Sequence, residues 1–188
     1  GFHMTIDDWN DGIIAELPRM FEQGISSFKM YMTYPAMMIG DGAIFEALQK
    51  LKELGGIAGV HCENAGVIDS LIAEKKAAGE LSPSAHPRCR PALLEAEAVG
   101  RLLKIAGVAD VPVVIVHLTC EASLREVEAA RARGQTVYVE TCPHYLLLDD
   151  HLYDLPDFEG AKYVCAPPLR TKPDQDALWK ALANGTVQ

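Results

Sequence analysis

The chain has 188 residues, of which 49% are hydrophobic and 23% charged, so it can bury the core of one domain or of a large part of one. Its formal net charge of −9 argues against a nucleic-acid partner, because nucleic-acid-binding proteins concentrate positive charge on one face or groove. No run approaches the roughly 18 apolar residues of a membrane span and no signal-peptide pattern opens the chain, so we expect no membrane partner.

Short apolar runs alternate with amphipathic stretches along the whole chain. A possible partial strand at 1–4 precedes five strand-like runs that are apolar on both faces, as buried parallel strands tend to be: 27–32, 57–62, 111–118, 136–141 and 161–165. Helices with capping signals are predicted at 9–23, 41–54, 65–78, 91–105, 121–133 and 173–183. The proline- and serine-containing segment 81–90 is predicted to be a surface loop. This alternation predicts an α/β fold with a parallel sheet.

The residues that close the apolar runs indicate which parallel α/β fold this is. Neither G-x-G-x-x-G nor G-x-x-x-x-G-K-S/T occurs, which argues against a doubly wound nucleotide-binding fold. In a (β/α)8 TIM barrel the functional side chains lie at the C-terminal ends of the strands, and here His61, His117 and Glu140 each close an apolar run. A complete barrel needs about 250 residues. We therefore predict that residues 1–188 are part of one barrel domain, with about five to six strands, that lacks the first strands and the last strand.

Each candidate residue also has a purely structural interpretation. A single histidine at a strand end is more often a hydrogen-bonded structural side chain than a metal ligand, although two such histidines, His61 and His117, weaken that view. Lys29 lies between apolar neighbours, where its charge is costly unless it is removed or paired. It could instead belong to an edge strand and extend its ammonium group into solvent.

These residues fall within sequence blocks that resemble the dihydropyrimidinase/D-hydantoinase family. The blocks are, in order, FKMYMTYP, GVHCENAGVID, RPALLEAEAVGR, VVIVHLTCEAS, VYVETCPHYLLLD and YVCAPPLR, and the resemblance covers essentially the whole chain. It implies a barrel amidohydrolase that opens the ring of a small cyclic amide or imide, a dihydropyrimidine or a 5-substituted hydantoin, to give the N-carbamoyl amino acid. It also implies two divalent metal ions, usually zinc, bridged by a lysine carbamate formed with CO2.

The resemblance assigns roles to five residues of this chain. Lys29 corresponds to the carbamylated lysine, His61 and His117 to histidine ligands of one metal, and Tyr34 to a tyrosine that binds substrate and donates its hydroxyl to the developing oxyanion. Ala166 stands where the family commonly has a serine that binds the imide ring partly through its backbone. Alanine keeps the backbone contact and loses the hydroxyl.

Several features leave alternatives open. The family's H-x-H pair and its late aspartate, which complete the metal site, do not fall within these 188 residues. A related class of adaptor proteins keeps the fold and has lost metal ligands, and allantoinases share the HCEN and CPHY blocks. We favour the enzyme because all three matched ligands are present. The resemblance further implies a homo-oligomer, a tetramer, and the five dispersed cysteines favour a reducing, cytoplasmic location.

Overall fold

The computed structural model describes all of residues 1–188. One parallel sheet contains five strands that lie side by side in chain order: β1 (His3–Thr5), β2 (Ser27–Tyr31), β3 (Ile57–His61), β4 (Val113–Ile115) and β5 (Val137–Val139). Every neighbouring pair is parallel, so each connection must cross over from one end of the sheet to the other. The predicted α/β class with a parallel sheet is confirmed.

Helices occupy the crossovers and continue after the last strand. They are α1 (Asp11–Glu22), α2 (Asp41–Leu54), α3 (Ala65–Ala77), α4 (Ala85–Cys89), α5 (Ala92–Ala109), α6 (Glu121–Ala132), α7 (Pro143–Leu147) and α8 (Lys172–Ala183). Two 3-10 helices, Asp150–Asp154 and Glu159–Tyr163, lie between α7 and α8. None of the helices combines the length and the apolar composition that crossing a bilayer would require.

Strand alternation gives the sheet two different faces. On one face, which we call the helix-covered face, Phe28 and Met30 of β2 are buried beneath the helices. Helix α2 contributes to that layer through a buried stripe at Ile44, Ala47, Leu48 and Leu51, the spacing of one helix face. The other face, which we call the open face, carries Ser27, Lys29 and Tyr31 and lines a cavity of about 450 Å³.

Two predicted segments differ from the structure. The predicted strand at 161–165 is wrong, because Glu159–Tyr163 is a 3-10 helix. A Cβ at Gly160 would lie 2.6 Å from the carbonyl oxygen of Tyr153, and this close approach is possible only for glycine. Ala161, Lys162 and Val164 are exposed, and Tyr163 and Cys165 are only partly buried, so the segment lacks the two buried faces of an inner parallel strand. The segment 81–90, predicted to be a surface loop, contains helix α4.

Candidate metal centre

Two histidines meet at the carboxyl edge of the sheet. His61 is the last residue of β3, and His117 follows β4 by two residues. The Nδ1 atom of His61 lies 3.1 Å from the Nε2 atom of His117, and the ring centroids are 4.7 Å apart. Parallel strands place their carboxyl ends at one edge, which explains why residues 56 positions apart in sequence come together. Two facing ring nitrogens either share one proton or direct both lone pairs at a cation.

A buried carboxylate orients the first imidazole. The Oε2 atom of Glu63 lies 2.8 Å from Nε2 of His61 and 2.5 Å from Nη1 of Arg90, and the Glu63 side chain is 1% exposed. Burial opposes ionisation of Glu63, but the hydrogen bond from His61 and the charge of Arg90 outweigh it and lower the carboxyl pKa. A carboxylate only accepts hydrogen bonds, so Nε2 of His61 donates to Glu63, and Nδ1 is the atom that faces His117.

The second imidazole is held in an unusual conformation. His117 has φ 41°, in the left-handed region that residues other than glycine seldom adopt. Its Nδ1 atom is buried without a hydrogen-bond partner, so no partner fixes the tautomer of this ring. Burial, together with the nearby His61 and Lys29, lowers the pKa of His117 to about 3 and keeps the ring neutral. Two imidazoles with facing nitrogens, one of them oriented by a carboxylate, form a donor set that fits a divalent zinc-type metal.

Lys29 lies on the same edge, in the open-face cavity with His117 and Glu140. Strand β2 is paired on both sides, so the interpretation of Lys29 as an edge-strand lysine is wrong. The side chain makes no ion pair, and its Nζ atom lies 5.0 Å from the centroid of the Tyr31 ring. Burial lowers the pKa of the Lys29 amine to about 8, against the opposing charges of Cys62, Glu140 and Cys142. A neutral amine, the form that reacts with CO2, is therefore accessible near neutral pH.

Tyr34 packs against the first histidine of the pair, His61. Its ring centroid is 5.1 Å from that of His61, and the guanidinium carbon of Arg90 lies 5.6 Å from the Tyr34 ring. Burial and the neighbouring Glu63 charge raise the pKa of the hydroxyl, which remains a proton donor at neutral pH. Like His117, Tyr34 has a positive φ, 71°. Backbone strain of this kind concentrates at functional sites, where the surrounding structure holds it in place.

Ala166 follows the last strand and the two 3-10 helices, and it lies far along the chain from the other predicted site residues. It lies in an irregular segment, residues 164–170, and no hydrogen bond joins it to the histidines. Its neighbours are tied to the site indirectly: the carbonyl of Cys165 accepts a hydrogen bond from Nε2 of His86 at 2.7 Å, and that of Pro167 accepts one from the Tyr145 hydroxyl at 2.7 Å. The structure thus brings Lys29, His61, His117 and Tyr34 to one edge, and the ligand and substrate roles of all five residues stay predictions.

Sequence reasoning missed the residues that support the pair. Glu63 and Arg90 received no role, although both are charged and buried. The signal that could have found Glu63 is its position directly after a strand, in a run whose residues 60–63 are all buried. A charge in such a run needs a partner, and the histidine two positions earlier is the nearest one.

Comparison with known proteins identifies relatives over the whole chain. The D-hydantoinase of Streptomyces coelicolor is 43% identical over 189 residues, and that of Geobacillus stearothermophilus is 42% identical over 190 residues. Each alignment covers 100% of this chain and 40% of the relative. The crystal structure of dihydropyrimidinase from Brevibacillus agri matches with a TM-score of 0.98 and 43% identity, covering 100% of this chain and 41% of that one. No family model matches the chain.

The relatives named above belong to one class of enzymes, the hydrolases of cyclic amides. Within that class, the resemblance to the dihydropyrimidinase/D-hydantoinase family that the sequence blocks indicate is confirmed. The chain spans about 40% of the length of the curated relatives it matches. It therefore corresponds to one section of each of these relatives.

Proposed function

We propose that the full-length protein hydrolyses the ring of a small cyclic amide, a dihydropyrimidine or a 5-substituted hydantoin, to the N-carbamoyl amino acid. The observation that carries this proposal is the pair of facing nitrogens, Nδ1 of His61 and Nε2 of His117, 3.1 Å apart beside a half-buried lysine. Relatives called D-hydantoinase supply the reaction class. The activity would belong to the whole protein, of which this chain forms one part.

The proposed fold of the whole domain is a (β/α)8 barrel. The sheet supports it because five parallel strands follow one another in chain order, without the reversal of strand order that marks a doubly wound sheet. Right-handed crossovers in one direction would place the helices on one face of the sheet, and α2, α5 and α6 contact β3, β4 and β5 in turn. The open face would then be the barrel interior, and Lys29, His61 and His117 would lie at its C-terminal mouth.

The proposed metal centre uses three residues of this chain. His61 and His117 would bind one metal through the two facing nitrogens, and the carbamate of Lys29 would bridge that metal to a second one. The carbamate forms when the neutral amine adds to CO2 and loses a proton, which converts a half-buried cation into an anion with two oxygen ligands. When bound, the two metals supply an activated water and polarise the carbonyl of the ring. Other ligands of the second metal would come from outside this chain.

Tyr34 and Ala166 would bind the substrate. The Tyr34 ring lies beside His61, and its protonated hydroxyl would donate a hydrogen bond to the carbonyl oxygen as negative charge develops there. The backbone at Ala166 would bind the polar edge of the ring, since the side chain offers no polar group. Together with the metal centre, these groups would define a site for a small, flat, polar ring.

The test uses the full-length protein with its metals. Metal content is measured alongside hydrolysis of dihydrouracil, hydantoin and allantoin. Two bound metals per chain and ring opening of dihydrouracil or hydantoin are the expected results, and preferential opening of allantoin would change the proposed substrate. A protein that binds no metal and opens none of the three rings would contradict the proposal and favour the adaptor class.

A further inference from the structure

A second buried polar cluster lies behind the metal centre and takes no part in the mechanism above. At its centre, the guanidinium of Arg170 donates to Oε2 of Glu95 at 2.9 Å, to Oγ1 of Thr119 at 2.9 Å and to the carbonyl of Arg90 at 2.5 Å. Glu95 also accepts hydrogen bonds from the backbone N–H of Thr119 at 2.9 Å and from the Ser123 hydroxyl at 3.1 Å. Arg170 and Glu95 are 8% and 2% exposed. Every strong donor and acceptor in the cluster has a partner, so its geometry is fixed.

The three acceptors of Arg170 belong to three different parts of the site. Thr119 follows His117 by two residues, and Glu95 lies in α5. Arg90 precedes α5 and connects both clusters, because its carbonyl accepts from Arg170 while its guanidinium binds Glu63, the partner of His61. The guanidinium of Arg170 is therefore linked to the residues that follow both histidines. It binds Thr119, after His117, directly, and it is linked to Glu63, after His61, through Arg90.

The segment that carries Arg170 is the one that carries Ala166. Residues 164–170 form neither helix nor strand, so no sheet ladder sets their position. Side chains hold them instead: His86 and Tyr145 donate to carbonyls on either side of Ala166, and the backbone N–H of Leu169 donates to the Tyr153 hydroxyl at 2.8 Å. Each of these is a single bond. Arg170 alone joins this segment to both histidine-bearing parts of the site, through three bonds.

We infer that Arg170 is a positioning residue, which sets the distance between the substrate-binding backbone at Ala166 and the metal centre by binding Glu95, Thr119 and the Arg90 carbonyl at once. This inference rests on the proposed function, since it assigns the polar edge of the substrate to the Ala166 backbone. A planar guanidinium, whose N–H donors point in different directions, is required because the three acceptors lie on different parts of the fold. Lysine would keep the charge but could not reproduce the three fixed directions.

The decisive variant is Arg170→Lys in the full-length, metal-loaded protein. Because losing a hydrogen bond to a charged group corresponds to about tenfold in an equilibrium constant, KM should rise about tenfold or more. Metal content should stay at the wild-type value and kcat within about threefold, since the histidines and Lys29 keep their own contacts. The matched control is Arg101→Lys, which alters the pairs of the partly exposed Arg101 with Glu97 and Asp41 and should leave both constants unchanged.

Hydrogen exchange of residues 164–170 gives a readout that does not depend on activity. Amides of this segment should exchange faster in Arg170→Lys and at the wild-type rate in Arg101→Lys. Unchanged exchange and an unchanged KM would overturn the inference, as would a fall in kcat and metal content with KM unaltered. If the wild-type protein opens no ring, the proposed function fails, and the exchange result still decides whether Arg170 anchors the segment.

A milder variant covers the case in which Arg170→Lys does not fold. Thr119→Val removes the hydroxyl that accepts from Nε of Arg170 and donates to Oε2 of Glu95, and it leaves the direct bond between Arg170 and Glu95 in place. It should raise KM in the same direction by a smaller factor and quicken exchange of residues 164–170. A wild-type KM together with wild-type exchange in Thr119→Val would overturn the inference.

Discussion

The two faces of the sheet differ in the burial and polarity of their side chains. On the helix-covered face, the side chains of β2 to β5 are at most 4% exposed and all apolar: Phe28, Met30, Ala58, Val60, Val113, Ile115, Val137 and Val139. On the open face, the same strands carry Ser27, Lys29, Tyr31 and Tyr138, which are partly buried or exposed, together with Ile57, Gly59, Val114 and the buried His61. The two sets alternate along each strand, so a one-residue shift in register would exchange them. Alternate residues of the same strands therefore serve different purposes: those on the helix-covered face form the core, and those on the open face line the candidate site.

Space on the open face is also set by the backbone. Gly59 pairs with Lys29 across β2 and β3, and a Cβ at Gly59 would lie 2.9 Å from Cγ1 of Val116. A larger residue there would displace the strand end that precedes His117. Substitutions on the open face should consequently alter metal binding and turnover, whereas those on the helix-covered face should alter stability. Four predictions, in order of decreasing effect on turnover, test this division.

Replacing Lys29 should have the largest effect. In the full-length protein, Lys29→Ala removes the group that would bridge the two metals, so we expect loss of the second metal and turnover below detection. Added short carboxylates should restore part of the activity, because they can supply the two oxygens of the missing carbamate. Metal analysis and steady-state kinetics measure both. Lys52→Ala, which removes only an exposed ion pair with Asp110, is the control. A Lys29→Ala protein with two metals and near-normal turnover would refute the assignment.

Removing the Tyr34 hydroxyl should have the next largest effect. Loss of one oxyanion donor typically lowers kcat on the order of a hundredfold to a thousandfold, or about 2.7 to 4 kcal/mol, and Tyr34→Phe should fall in that range. Metal content and ground-state binding should change little, because the bond strengthens only as charge develops. If Tyr34 is instead a packing residue, the melting temperature will fall while kcat changes less than threefold.

Removing the charge of Glu63 should have an intermediate effect. Glu63→Gln keeps the shape of the side chain but weakens the bond that orients His61, and loss of such a partner typically costs about 10-fold to 100-fold in metal affinity or activity. Competition with a chelator measures the affinity. Glu97→Gln, at the exposed pair with Arg101, is the matched control. Equal metal affinity in the Glu63→Gln and wild-type proteins would show that Glu63 does not support the ligand.

Local patterns in the sequence predicted much of this architecture. The helix predicted at 41–54 has the same bounds in α2, because its apolar spacing and the glycine at 55, with φ 78°, mark both the face and the end. The histidines could be placed at strand ends by the same local logic. The roles of Arg90 and Arg170 could not, because each depends on a partner brought close by the fold, 27 residues away for Arg90 and Glu63 and 80 for Arg170 and Arg90. The 3-10 helix at Glu159–Tyr163 was missed for the same reason, since contact with Tyr153 decides it.

The smallest effect on turnover should come from the helix-covered layer. Leu48 of α2 is completely buried and packs in the core beneath the sheet, whereas Leu93 of α5 is 74% exposed. Leu48→Ala leaves a cavity that neighbouring side chains fill only in part, so it should destabilise the protein by about 2 to 5 kcal/mol, and Leu93→Ala should stay within about 0.5 kcal/mol. The kcat of the folded Leu48→Ala protein should remain within about twofold of wild type, because no group on the open face is altered. Denaturant unfolding and kinetics on the same samples measure both quantities. A large loss of kcat in folded Leu48→Ala protein, with its metals retained, would show that the two faces are coupled and would break the division between them.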